Sequence, residues 1–190
     1  MLARLGEAVG ALDQPSMDGI NTFFVSWAAR QVGLKVALSG LGGDEVFGGY
    51  PTFRTTPRLA ALAALGCCLP AVARKPLAEA LLGISRRGTL PRRSDAVRKI
   101  AAIWADPKAL PHAYFFTRML FAPRQVEMLF STSAFAALRA EDTRGPVPWR
   151  AWLEQTVEQA EQFQGDSVVS CLELRTYMLD TLLRDTDAMS

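Results

Sequence analysis

The sequence predicts an α/β protein with a parallel sheet, and three adjacent features carry that expectation. A stretch of helical period runs from Met17 to Val32, Gly33 punctuates it, and a short apolar run, Lys35 to Leu38, follows between glycines. Within the first stretch Ile20, Phe23, Phe24, Trp27 and Ala28 share one helical face, with Ser16 or Asp18 expected as its N-cap. Gly33 stands where a left-handed C-cap is cheap for glycine. The apolar run reads as a buried strand at about residues 35–39. One strand makes no sheet, so the rest of that sheet is expected from elsewhere.

Ser39 to Tyr50, SGLGGDEVFGGY, reads as a glycine-rich turn entering a short helix. Beyond Pro57 the character becomes helical, over residues 58–65, 75–82 and 95–104, with Pro70, Pro76, Gly88 and Pro91 as separators. Pro107, Pro111, Pro123, Pro146 and Pro148 punctuate further short helices, and residues 149–163 and 167–183 form the last two. The expected division is an α/β part at residues 1–57 and a mainly helical part at 58–190. Phe115, Phe116, Met119, Leu120 and Phe121 are too dense for one stripe and are expected to pack a helical core.

Composition excludes several function classes. Of 190 residues 49% are apolar, and 21 Lys and Arg against 19 Asp and Glu leave a net charge of +2. That excludes disorder and gives no global pull toward nucleic acid or an anionic membrane. Cys67, Cys68 and Cys171 form neither a disulfide framework nor a zinc spacing, and His112 is the one histidine. The cysteines read as small hydrophobes of a reducing, cytoplasmic compartment. No signal peptide is legible, and Leu59 to Val72 is shorter than the roughly 20 residues a membrane span needs. The basic run Arg86, Arg87, Arg92, Arg93, Arg98 and Lys99 lacks interleaved aromatics, so it reads as a solvated face or subunit contact.

The glycine-rich turn is the candidate site. Gly40, Gly42, Gly43 and Gly48 let backbone approach a ligand at the end of the expected strand, where α/β sheets bind ligands. Asp44 and Glu45 would repel a polyphosphate unless a cation intervened, and magnesium accepts carboxylates together with phosphate oxygens. The plainer alternative is a tight strand-to-helix connection with Asp44 as N-cap. Neither the phosphate-binding loop of NTPases nor the dinucleotide Gly-x-Gly-x-x-Gly is present.

LSGLGGDEVFGGYP (Leu38 to Pro51) resembles the second nucleotide-site motif of the glutamine-dependent asparagine synthetase family. LDQPSMDGINTFFVSWAAR (Leu12 to Arg30) is similar to the segment that precedes that motif. YMLDTLLRDTDAMS (Tyr177 to Ser190) resembles the start of the family's Arg-x-x-Asp-x-Met-Ser stretch. The three occur in family order and span nearly the whole chain, although residues 52–165 carry little that is specific.

The resemblance implies a Rossmann-like ATP-pyrophosphatase domain of the adenine-nucleotide alpha-hydrolase type, of which residues 1–190 would be a part. It implies an enzyme that adenylates the side-chain carboxylate of aspartate and aminates it with glutamine-derived ammonia, giving asparagine, AMP and pyrophosphate. Ser39, Gly40, Leu41, Gly42 and Gly43 would meet ATP or AMP, and Asp44, then Glu45, would bind magnesium. Leu41 stands where characterised asparagine synthetases carry glutamate and β-lactam synthetases tyrosine, and it can do no acid/base work. That leaves open a relative aminating or cyclising another carboxylate, and a non-catalytic helical interaction module. The expected partners are ATP, aspartate or a related carboxylate, ammonia from a glutaminase domain, and the rest of the same polypeptide. A homodimer is among the assemblies allowed.

The family's Ser-Gly-Gly-x-Asp-Ser loop, glutaminase cysteine and downstream lysine are absent from these residues, so the chain reads as an internal slice without catalysis of its own. Arg184, Asp185 and Asp187 read as a helix-ending salt-bridge group, and Asp13 and Asp18 as caps or ligands.

Overall fold

The computed structural model describes residues 2–16, 18–87, 91–121, 129–130, 133 and 148–190. In chain order the helices are α1 (Leu5–Ala11), α2 (Asp18–Gln31), α3 (Gly43–Phe47), α4 (Thr52–Cys67), α5 (Ala71–Arg87), α6 (Pro91–Ala105) and α7 (Ala113–Arg118). They continue with α8 (Pro148–Ala160), α9 (Asp166–Glu173) and α10 (Arg184–Met189). A 3-10 turn at Leu2–Arg4 precedes α1, and a π-helix, Leu174–Leu183, joins α9 to α10. Gly88, Pro123 and Pro146, expected above as punctuation, lie outside the described residues.

The strand expected at 35–39 does not form. Residues 34–40 hold neither helix nor strand, and no strand occurs among the described residues. Val36 is 78% exposed and Leu38 99%. A strand exists by pairing its N–H and C=O groups with a neighbour, and none of the described residues supplies that neighbour.

Two compact units divide the chain, Met1–Tyr50 with Gly165–Ser190, and Pro51–Gln164. This differs from a break after residue 57, because the last helices return to the first fifty residues and do not stay with the helical middle. In the first unit α10 packs on α2 and on the π-helix, α1 packs on α2, and α9 meets α3.

Helix α2 has the ends its sequence suggests. Ser16 Oγ accepts from the backbone N–H of Asp18 (3.2 Å) and of Gly19 (3.3 Å), so Ser16 is the capping side chain. At the other end Gly33 has φ 77°, with Gly33 N–H donating to Arg30 O (3.1 Å) and Leu34 N–H to Ala29 O (3.1 Å), a Schellman closure. The apolar face is only partly covered. Ile20, Phe24, Val25 and Ala28 line an open groove of about 560 Å³ with Leu2 and Leu5.

In the second unit α4, α6 and α7 enclose a core of Leu59, Ala102, Ile103 and Phe116, with Ala63, Ile100, Trp104 and Met119 packed against it. Of the expected aromatic cluster, Leu120 (81% exposed) and Phe121 (50%) stay outside. Pro57 and Pro76 do not end helices but sit inside α4 and α5. Each removes one backbone donor, a cost of about 3 kcal/mol in a helix interior that packing on neighbouring helices offsets. The Trp104 indole donates to Leu62 O (2.8 Å).

His112 caps α7, its Nδ1 accepting from Tyr114 N–H (3.2 Å). Arg98 and Lys99 of the basic run serve inside this unit. Both pair with Asp95, and they donate to Leu120 O and Thr117 O (each 2.6 Å). Burial alone would raise the Asp95 carboxyl, but the two cations outweigh it and hold it below the ordinary range.

Candidate nucleotide site

The glycine-rich turn is built from two left-handed glycines around one short helix. Gly42 precedes α3 at φ 89° and Gly48 follows it at φ 73°, conformations that cost little only without a Cβ. Gly43 N–H donates to Gly40 O (3.2 Å), Val46 N–H to Gly42 O (3.1 Å) and Gly49 N–H to Asp44 O (2.9 Å). Ser39 Oγ accepts weakly from Leu41 N–H (3.5 Å). The N-cap is therefore Gly42, and the alternative that made Asp44 the cap is corrected. Asp44 lies in the first turn of α3, where a carboxylate complements the helix dipole.

The two acidic residues have opposite environments. Asp44 is exposed, its carboxylate passing close over Gly49, where any Cβ would collide with it. Glu45 is 1% exposed and accepts from Tyr50 OH at 2.9 Å. Its backbone carbonyl accepts from Ser170 Oγ of α9 (2.7 Å). Burial first, then the hydrogen bond to Glu45 and its charge, push the Tyr50 phenol far above its ordinary value, so Tyr50 stays a donor.

Tyr50 also meets the π-helix. Its ring lies edge-to-face on Tyr177, centroids 5.9 Å apart at 84°. Tyr177 OH donates to Asp18 Oδ2 (2.9 Å) at the start of α2. Met178 reaches over the turn, its Cε 3.7 Å from where a Cβ on Gly42 would stand. Gln14 Nε2 donates to Asp180 O (3.0 Å). Arg184 pairs with Asp13 (2.8 Å), an exposed bridge that contributes little to stability. Asp185 is buried and accepts from Ser16 Oγ, while its Oδ1 has no hydrogen-bond partner.

Described residues of 12–30, 38–50 and 177–190 thus meet in one unit. Of the residues singled out from the sequence, Ser39 to Asp44 form its open rim, with Gly42 and Gly43 half-buried. Glu45 forms its buried support, and Asp18 anchors Tyr177. Sequence reasoning missed Tyr50, Ser170, Tyr177 and Met178. Tyr50 and Tyr177 did carry a signal, an aromatic inside each of two motif stretches.

The chain matches the asparagine synthase family over residues 1–190. It belongs to the asparagine synthase family. No curated protein and no solved structure matches it. Membership in the asparagine synthase family makes this a ligase-type chain whose family chemistry is ATP-dependent amidation of a carboxylate. Small-molecule substrates, ATP among them, follow from it. No helix among the described residues is long and apolar enough to cross a membrane.

Among the described residues no three His, Cys, Asp or Glu side chains gather to hold a metal ion. The donor chemistry still suits a substrate-bridged magnesium. Magnesium keeps waters and takes one or two carboxylates plus phosphate oxygens, and Asp44 offers one carboxylate open to solvent.

Proposed function

We propose that this chain is the nucleotide-binding part of a glutamine-dependent synthetase that adenylates aspartate or a related carboxylate. Ammonia from a glutaminase domain then displaces AMP. The observation that carries the reading is the junction, through Tyr50, Tyr177 and Asp18, of the parts of the three family-like stretches that share the first unit, residues 12–30, 38–50 and 177–190. Ser39 to Gly43 would hold AMP, with glycines letting backbone come close. Asp44 would be the magnesium ligand. Glu45 would reach the ion only by releasing Tyr50, so its role here is to hold the turn.

The same proposal places the chain in a domain of the adenine-nucleotide alpha-hydrolase-like fold, to which the family resemblance points. A cytoplasmic location fits the free cysteines Cys68 and Cys171. Leu41, 41% exposed and without a titrating group, favours no particular nucleophile, so a ring-closing relative remains the second chemistry.

The test is calorimetric titration of the full chain with ATP, with and without magnesium, for wild type and Asp44→Ala. Magnesium-dependent binding that weakens at least about ten-fold on the substitution is expected, from loss of a charged ligand. Binding that is equal in both proteins, or indifferent to magnesium, removes Asp44 from the site. No binding of ATP by the full chain under either condition favours a helical interaction module.

A further inference from the structure

The π-helix is the unusual element of the first unit. Such helices are rare, mostly single-turn, and concentrate at functional sites, whereas this one runs ten residues, Leu174–Leu183. Its side chains reach two places. Tyr177 bonds Asp18 at the start of α2 and lies against Tyr50, and Met178 covers Gly42. Tyr50 in turn holds Glu45, the one fully buried side chain of α3. The series Asp18, Tyr177, Tyr50 and Glu45 therefore runs from a helix start to the underside of the glycine-rich turn.

We propose that Tyr177 and Tyr50 are positioning residues for the glycine-rich turn, Tyr177 acting through the Tyr50 ring. The turn needs such support because its own fastening is slight. It has a five-residue helix, two left-handed glycines and a rim open to water. An isolated helix that short does not hold itself together. Glu45 is the side chain that pins α3 to the unit, and its carboxylate accepts the Tyr50 hydroxyl at 2.9 Å. Tyr50 can aim that hydroxyl only while its ring is held, and Tyr177 holds it edge-to-face. Asp18 fixes the Tyr177 hydroxyl, so the start of α2, together with the Ser170 bond to Glu45 O, sets where the turn sits. This deepens the nucleotide reading above and rests on it only where ligand binding is measured.

The substitutions are Tyr177→Phe, which keeps the ring and removes the bond to Asp18, and Tyr50→Phe, which removes the bond to Glu45. Asp18→Ala breaks the first bond from its other end, and Asp18→Asn keeps an acceptor. Ala8→Gly is the control, because it loosens the same unit at a buried position of α1, away from this series. Hydrogen exchange of peptides spanning residues 39–50, without ligand, is the first readout. About three- to ten-fold faster exchange is expected in Tyr177→Phe, Tyr50→Phe and Asp18→Ala, the effect of one lost hydrogen bond. Near wild-type exchange is expected in Asp18→Asn. Titration of the full chain with magnesium and ATP is the second, with a similar fold-change in Kd.

Unchanged exchange at the turn in Tyr177→Phe and Asp18→Ala overturns the proposal. So does equal loosening by Ala8→Gly, which would make the effect general instability of the unit. Faster exchange together with no ATP binding by wild type upholds the positioning role and removes the nucleotide reading.

Discussion

Two neighbouring glycines should respond to the same substitution with opposite signs. Gly42 stands at φ 89° and ψ −13°, and Gly43 begins the helix that follows. A Cβ on Gly42 would meet Met178 Cε at 3.7 Å, an ordinary contact, so the cost of Gly42→Ala lies in its backbone conformation. A left-handed non-glycine residue costs about 1–2 kcal/mol. Spread over the opening of the turn, that is roughly a five- to thirty-fold rise in the open population. A Cβ on Gly43 meets nothing within 4 Å, and alanine in a helix is favoured over glycine by up to about 1 kcal/mol. Gly43→Ala should therefore leave the turn as it is or steady it.

Hydrogen exchange of residues 39–50 is the assay, read at the amides of Gly43, Val46 and Gly49 that donate within the turn. Global fluorescence would report the wrong unit, since Trp104, Trp149 and Trp152 lie in Pro51–Gln164 and Trp27 alone in the other. Wild-type exchange in Gly42→Ala, or equal acceleration in both variants, would refute the reasoning.

Three further outcomes follow from the packing. Gly66→Ala should cost about 1–3 kcal/mol in urea unfolding followed by tryptophan emission, because its Cβ would fall within 3.0 Å of Trp104 Cγ and closer still to Cδ1. A change below about 0.5 kcal/mol would mean the indole moves freely. Burial holds the His112 imidazole below its ordinary 6.5, with Glu161 opposing in part, so between the two values the unfolded chain binds the extra proton. Stability should be level above about pH 6.5 and decline as pH falls through the lowered folded value. His112→Asn, which keeps a capping acceptor, should flatten that decline in denaturation run from pH 8 to 5. Ser16→Ala removes the acceptor of two N–H groups and the donor to buried Asp185, so about 1–3 kcal/mol should be lost, seen as faster exchange at the start of α2.

The sequence alone determined whatever depends on local periodicity and backbone freedom. The helix at 18–31, its serine cap and its Gly33 closure are local, since each needs only residues within about one turn. The glycine-rich turn was legible for the same reason, as were the three stretches that resemble the family. Tertiary structure alone decided the rest. Lys35 to Leu38 has the composition of a strand, but strands require a partner, and the pattern cannot say whether one is within reach. Pro76 reads as a separator and Pro57 as the boundary where helical character begins, yet helix packing carries the chain through both. Asp44 and Glu45 are adjacent and chemically alike, and only the fold sends one to water and the other beneath the turn to Tyr50. Asp18, Tyr50 and Tyr177 meet across long separations in sequence, and a contact between such distant residues leaves no local period to read.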